Sequence, residues 1–175
     1  MKGKTTAGFT LMELLIAVAI MLIISGVSLS SFWQSQKKSR DTQRKSELAQ
    51  IGRALELFNE DFAQYPDSSD GLILGCQSAI GGVMVACDWE NDFKAYPQDA
   101  EVIYMKDLPS DPGGRYEYYY QKTSDGFVLY SVLENDQDVV YNASGWDASG
   151  SGPADECGEG FCRYKLSNTG IIYPD

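Results

Sequence analysis

Residues 8–33 read GFTLMELLIAVAIMLIISGVSLSSFW, and no charged residue occurs from Leu14 to Gln36. As an α-helix, residues 14–33 would extend about 30 Å, which matches the hydrocarbon thickness of a bilayer. The stretch therefore predicts a membrane-spanning helix near the N-terminus. A cleaved secretory signal peptide is the alternative, because Ser28-Leu29-Ser30 loosely fits the small-x-small pattern that signal peptidase recognises.

A single carboxylate, Glu13, stands at the start of this apolar run. A charged side chain in a membrane is costly unless it is paired, and such residues usually serve a function. The alternative is that Glu13 lies just outside the bilayer, where the dipole at the N-terminus of the helix favours a negative charge. A simple anchor or signal peptide gains nothing from the carboxylate, so we favour a functional role.

The residues around Glu13 resemble the cleavage and methylation site of type IV pilins and type II secretion pseudopilins. The matching features are a short leader with Lys2 and Lys4, then Gly8, Phe9, Glu13 and the apolar helix behind them. The resemblance implies that a prepilin peptidase cuts between Gly8 and Phe9 and that Phe9 is N-methylated. It also implies storage in the inner membrane, followed by assembly into a filament on a platform in that membrane.

The chemistry of the cleaved chain explains the residue types. Cleavage would create an α-amino group on Phe9 with a pKa of roughly 7.7–8.0, so this group would be largely cationic near neutral pH. An unpaired Glu13 would be strongly unfavourable among packed apolar helices, whereas a carboxylate–ammonium pair is tolerated. We therefore expect Glu13 and Phe9 to pair between subunits and to set their register during assembly.

Composition excludes several other functions. The 175 residues carry a formal net charge of −11, which gives no long-range attraction for nucleic acid, so direct nucleic-acid binding is not expected. Histidine is absent, which removes histidine-based catalytic triads and histidine-ligated zinc sites. The sequence also lacks a phosphate-binding loop, a dinucleotide-binding glycine motif and a nucleophile elbow. We predict that the protein is not an enzyme.

Four segments are predicted. Residues 1–8 form the leader, and residues 9–36 form the transmembrane or filament-core helix. Residues 37–65 form an amphipathic helix, whose apolar stripe recurs at spacings of three and four: Leu48, Ile51, Leu55, Phe58 and Phe62. Residues 66–175 form an acidic globular head with six Lys/Arg and nineteen Asp/Glu. The predicted fold is α+β and pilin-like, with a long N-terminal helix packed on a small antiparallel sheet.

A β-hairpin is predicted in the middle of the head. Residues 115–122 read RYEYYYQK, residues 127–133 read FVLYSVL, and Thr123-Ser124-Asp125-Gly126 between them is a good turn. This segment resembles the sheet of major pseudopilins and small pilins. Tyr116, Tyr118 and Tyr120 share one face of the first strand, where packing in the sheet is favoured over a stacking platform for sugars or nucleic acid.

Four cysteines allow three disulfide connectivities. Because the chain resembles exported proteins, we favour disulfides and local pairing, Cys76 with Cys87 and Cys157 with Cys162. A metal site is the alternative. The spacing of Cys157 and Cys162 is tolerable for zinc, but that of Cys76 and Cys87 does not resemble a zinc knuckle.

The stretch from Glu134 to Gly160 is acidic and rich in glycine. Its oxygen ligands suit calcium, with Glu134, Asp136 and Asp138 as the candidate residues. The resemblance supports this interpretation, since major pseudopilins bind calcium in the loop after the equivalent strand. The spacing matches no EF-hand, and a solvated acidic loop without any cofactor is the alternative.

Three functions remain open. The first is a structural subunit of a type IV pilus-like filament at the cell surface, which a head with two disulfides and no clear calcium motif slightly favours. The second is a pseudopilin of a type II secretion system. The third is a membrane-anchored binding module. Both filament functions would make the protein a homo-oligomer.

Overall fold

A computed structural model describes residues 8–141, 157 and 162–172. The chain divides into two compact units, Met1–Lys37 and Lys38–Asp175. The predicted leader falls largely on residues 1–7, and most of the glycine-rich acidic stretch falls on residues 142–156. Both lie outside the described residues.

Helix α1 runs from Leu11 to Phe62, a length of 52 residues, and so contributes to both units. The predicted apolar stripe is buried in the second unit, where Leu48, Ile51 and Leu55 are inaccessible to solvent. The helix was expected to continue to the Tyr65-Pro66 pair. It ends three residues earlier, because Ala63 adopts a left-handed backbone conformation with φ of 54°.

Two short hairpins follow the helix. Strands β1 (Asp67–Ser69) and β2 (Leu72–Leu74) pair antiparallel around Asp70-Gly71. Both of these turn residues have positive φ, as a tight two-residue hairpin turn requires. Strands β3 (Phe93–Ala95) and β4 (Val102–Met105) form the second antiparallel pair.

The main sheet has four antiparallel strands in the order β5-β6-β7-β8. The strands are β5 (Tyr119–Thr123), β6 (Gly126–Ser131), β7 (Tyr164–Ser167) and β8 (Gly170–Ile172). The predicted turn joins β5 to β6, with Thr123 opposite Gly126. The α+β, pilin-like fold is therefore confirmed, although the first strand of the hairpin begins at Tyr119 rather than Arg115.

Strand β6 is buried at every position because it has packing partners on both faces. Phe127 and Leu129 belong to the main core, which also contains the helix stripe. Val128 and Tyr130 belong to a second cluster, which contains Cys157 and Cys162. The sheet therefore separates a large core on the helix side from a smaller one that includes a pair of cysteines.

Candidate functional site

The N-terminus of α1 is built as a capping box. The Thr10 backbone N–H donates to Oε2 of Glu13 at 3.0 Å, and the Thr10 hydroxyl donates to the same oxygen at 2.8 Å. In return, the Glu13 backbone N–H donates to the Thr10 hydroxyl oxygen at 3.3 Å. Such reciprocal bonds satisfy N–H groups that have no partner within the helix. The role of Thr10 was not predicted, although Thr10-Leu11-Met12-Glu13 carries the T-x-x-E signature.

The predicted cleavage point lies immediately before this box. Gly8 and Phe9 precede the helix and are exposed, as is Glu13. The structure thus presents the Gly8–Phe9 bond at an accessible position. In the uncleaved chain the Phe9 nitrogen belongs to a peptide bond and carries no charge, so Glu13 is held by Thr10. Pairing of Glu13 with a Phe9 amine stays a prediction for the processed chain.

The first turns of α1 carry an unusual amount of exposed apolar surface. Among the described residues, α1 is the one helix long and apolar enough to cross a membrane. Exposed large apolar side chains follow one another along it: Leu11, Met12, Leu14, Leu15, Ile16, Val18, Ile20, Met21, Leu22, Ile23 and Ile24. A surface of this kind marks contact with a membrane or with other apolar helices.

Two disulfides close local loops in the head. One joins Cys76 to Cys87, and the other joins Cys157 to Cys162; these are the local pairings that the sequence analysis favours. Cys157 and Cys162 are buried against Val128 and Tyr130 on the outer face of β6. All four sulfurs are thus engaged in covalent bonds, and the described residues include no free cysteine.

The buried guanidinium of Arg44 binds carboxylates from three parts of the chain: α1, a turn and the loop after β6. Arg44 is fully buried and donates to both carboxylate oxygens of Asp111, at 2.6 and 3.0 Å. Its Nη1 lies 2.7 Å from Asp41 and 2.8 Å from Glu134. Asp41 also accepts backbone N–H groups of Glu134 and Asn135. This Arg44 cluster, comprising Arg44, Asp41, Asp111 and Glu134, ties a turn and the loop after β6 to the helix.

The Arg44 cluster bears directly on the calcium hypothesis. Glu134 is bound by Arg40 and Arg44, and Asp138 lies 2.6 Å from the Lys45 ammonium, while Asp136 is exposed. Among the residues that the structure describes, no three acidic, cysteine or histidine side chains form a group that could hold a metal ion. The three candidate residues are therefore not brought together, because lysine and arginine already neutralise two of them.

The Arg44 cluster predicts how stability depends on pH. Hydrogen bonds from Arg40 lower the pKa of Glu134 to about 2, below the roughly 4.3 of a free glutamate. Ionised Glu134 therefore stabilises the fold above pH 4.3, and this contribution is lost as the pH falls towards 2. We expect Glu134→Gln to lower the free energy of unfolding by about 1–2 kcal/mol at pH 7, with a deficit that stays constant down to about pH 4.3 and shrinks below it.

The measurement is thermal unfolding of the full chain in detergent between pH 7 and pH 2.5. Glu56→Gln is the control, because Glu56 is an exposed glutamate on α1. A deficit for Glu134→Gln that stays constant across this range would contradict the assignment.

Comparison with known proteins identifies the N-terminal motif and also finds similarity over most of the chain. Residues 3–29 match the family described as "Prokaryotic N-terminal methylation motif". Type II secretion system core protein G of Pseudomonas aeruginosa is 26% identical over 156 residues, which cover 84% of this chain and 99% of the relative. The protein of the same name from Klebsiella michiganensis is 28% identical over 118 residues, covering 67% and 75%. That of Vibrio cholerae is 23% identical over 124 residues, covering 71% and 76%.

No solved structure matches the chain significantly. The relatives and the methylation motif nevertheless agree with the apolar helix and the accessible Gly8–Phe9 bond. Residues 3–29 thus carry the methylation motif of type IV pilins and type II secretion pseudopilins, and most of the chain is similar to type II secretion pseudopilins. The motif and the apolar helix place the precursor in the inner membrane and the mature chain in a pilus or pseudopilus.

Proposed function

We propose that this protein is a pseudopilin of a type II secretion system, equivalent to core protein G. The observation that carries the proposal is that similarity to the Pseudomonas aeruginosa protein of that name extends over 84% of the chain, far beyond the shared N-terminal motif. From the sequence alone, a surface pilus ranks first and a pseudopilin second. The comparisons support the pseudopilin better than the surface pilus, so the order is reversed here.

In this proposal a prepilin peptidase cleaves the Gly8–Phe9 bond and Phe9 is N-methylated. The exposed apolar side chains of α1 lie in the membrane before assembly and against other copies of the helix afterwards. An assembly platform in the inner membrane then adds subunits one at a time. The Phe9 ammonium of one subunit and Glu13 of another form the pair that sets their register.

The head has a structural role in the proposal rather than an enzymatic one. An acid pair such as Asp136 and Asp138 would need one free carboxylate near another to act as acid and base. In the structure Asp138 is bound by Lys45 and accepts the backbone N–H of Val140, which fixes the loop after β6. The Asp138 carboxylate therefore supports the fold of this loop.

The test combines mass spectrometry with cell fractionation in the organism that makes the protein. We expect a mature chain that begins at methylated Phe9, is found in the cell envelope and is absent from sheared surface filaments. Deletion of the gene should retain type II substrates inside the cell envelope, and the intact gene should restore their release. Abundant mature chain in sheared filaments, with normal release of those substrates in the deletion strain, would instead indicate a surface pilin.

A further inference from the structure

The segment between Cys76 and Cys87 exposes apolar side chains far from the N-terminal helix in sequence. This apolar loop, residues 77–86, contains Ile80, Val83, Met84 and Val85, all of them exposed. Val83 is the most exposed of the four, at 78%. The disulfide does not require these side chains to be apolar, so the loop calls for a separate explanation.

The apolar loop is held in a defined shape. The Cys76–Cys87 disulfide closes it, and Cys76 and Val85 exchange backbone hydrogen bonds of 3.1 and 2.9 Å across it. The Gln77 side chain donates to the Gly82 carbonyl at 2.6 Å and accepts the Tyr96 backbone N–H at 2.9 Å. A loop ordered in this way loses little conformational entropy when it binds, which favours its use as a contact surface.

The charge of the head indicates what the apolar loop contacts. Residues 71–87 contain no charged side chain and are the longest such run in residues 66–175, which hold six Lys/Arg and nineteen Asp/Glu. Two copies of so acidic a head repel each other wherever their charged surfaces approach. The apolar loop carries no charge, so a second copy can bind there without that repulsion.

The small size of the apolar loop also favours a second copy of the chain as its partner. Four exposed side chains offer far less than the roughly 800 Å² per partner that a stable, free-standing complex buries. A small contact is effective when something else already holds the partners together, as the N-terminal helix does in a filament. It suits repeated contacts between copies better than capture of a separate protein.

We propose that the apolar loop docks on the head of a neighbouring copy of this chain within the assembled filament. The contact is head-to-tail, because a helical filament repeats one contact between two different surfaces of the subunit. The apolar loop thereby adds a second, peripheral contact to the one between helices. This inference rests on the proposed assembly function, which the experiment below tests separately.

The experiment places a negative charge on the apolar loop of the full chain, in cells that assemble it. We expect Val83→Asp to reduce the amount of chain recovered in crosslinked multimers by about tenfold or more, because the contact would bury an unpaired charge. Val139→Asp is the matched control, since Val139 is 83% exposed and lies in the loop after β6. The control should yield multimers as the wild type does. Equal losses in both variants, or no loss in Val83→Asp, would overturn the proposal.

A photoreactive amino acid at position 83 identifies the partner directly. We expect a product of twice the mass of the chain that contains only this protein. A product that contains a different protein would refute contact between copies. If the unsubstituted chain forms no multimers, the assembly function itself fails and the inference fails with it. If it forms them and Val83→Asp does as well, only the inference fails.

Discussion

Replacing Glu13 by glutamine is expected to leave the chain processed and membrane-bound but to lower its incorporation into filaments at least about a hundredfold. The reason is that the Phe9 ammonium would then enter a core of apolar helices without a counter-charge, a change that costs roughly 3–5 kcal/mol. Mass spectrometry should find methylated Phe9 at the N-terminus of the variant. Crosslinked multimers, quantified against the membrane-bound pool, measure incorporation.

The capping box makes glutamine a sharper test than alanine. A glutamine still fits the capping box with Thr10, so the start of α1 is preserved while the charge is lost. Thr10→Val makes the opposite change, because it removes the hydroxyl and keeps the carboxylate. We expect Thr10→Val to assemble far better than Glu13→Gln. The reverse order would show that helix capping, rather than charge pairing, is what assembly requires.

Replacing Arg44 by alanine is expected to destabilise the unit Lys38–Asp175 strongly. It would leave Asp41 and Asp111, both buried, without the cation that neutralises them. Breaking a buried ion pair in this way typically costs 3–5 kcal/mol, which corresponds to a fall of roughly 10–20 °C in melting temperature for a unit of this size. Near-ultraviolet circular dichroism of the full chain in detergent would follow unfolding of the tyrosine-rich head.

The matched control is Arg53→Ala on the same helix, because Arg53 is exposed. Its melting temperature should stay within a few degrees of that of the wild type. If Arg44→Ala unfolds no earlier than Arg53→Ala, the Arg44 cluster does not hold the head to its helix.

The parts of the fold that follow from local patterns were predictable. The spacing of Leu48, Ile51 and Leu55 predicts the buried face of α1, and the structure buries all three. The turn at Ser124-Asp125 predicts the β5–β6 hairpin, because the preferences of a short turn are encoded in adjacent residues. The N-terminal motif predicts a family, because the residues that define it lie within a few positions of one another.

The parts that depend on distant contacts were not predictable. Arg44 looks like one of several basic residues that follow the apolar run, yet its partners Asp111 and Glu134 lie 67 or more residues further along the chain. The three candidate calcium ligands are a second example. Acidic residues that are close in sequence suggest a cation site, but the sequence does not show that the cation is already supplied by arginine and lysine from the helix.

The order of the cysteines along the chain has a consequence for biogenesis. Each disulfide joins a cysteine to the next one in sequence, with separations of 11 and 5 residues. When the chain is exported from its N-terminus towards its C-terminus, both cysteines of the first pair therefore emerge before either cysteine of the second pair. An oxidant that joins cysteines in order of arrival forms only native bonds, so maturation of the head needs oxidation but no reshuffling of mispaired sulfurs.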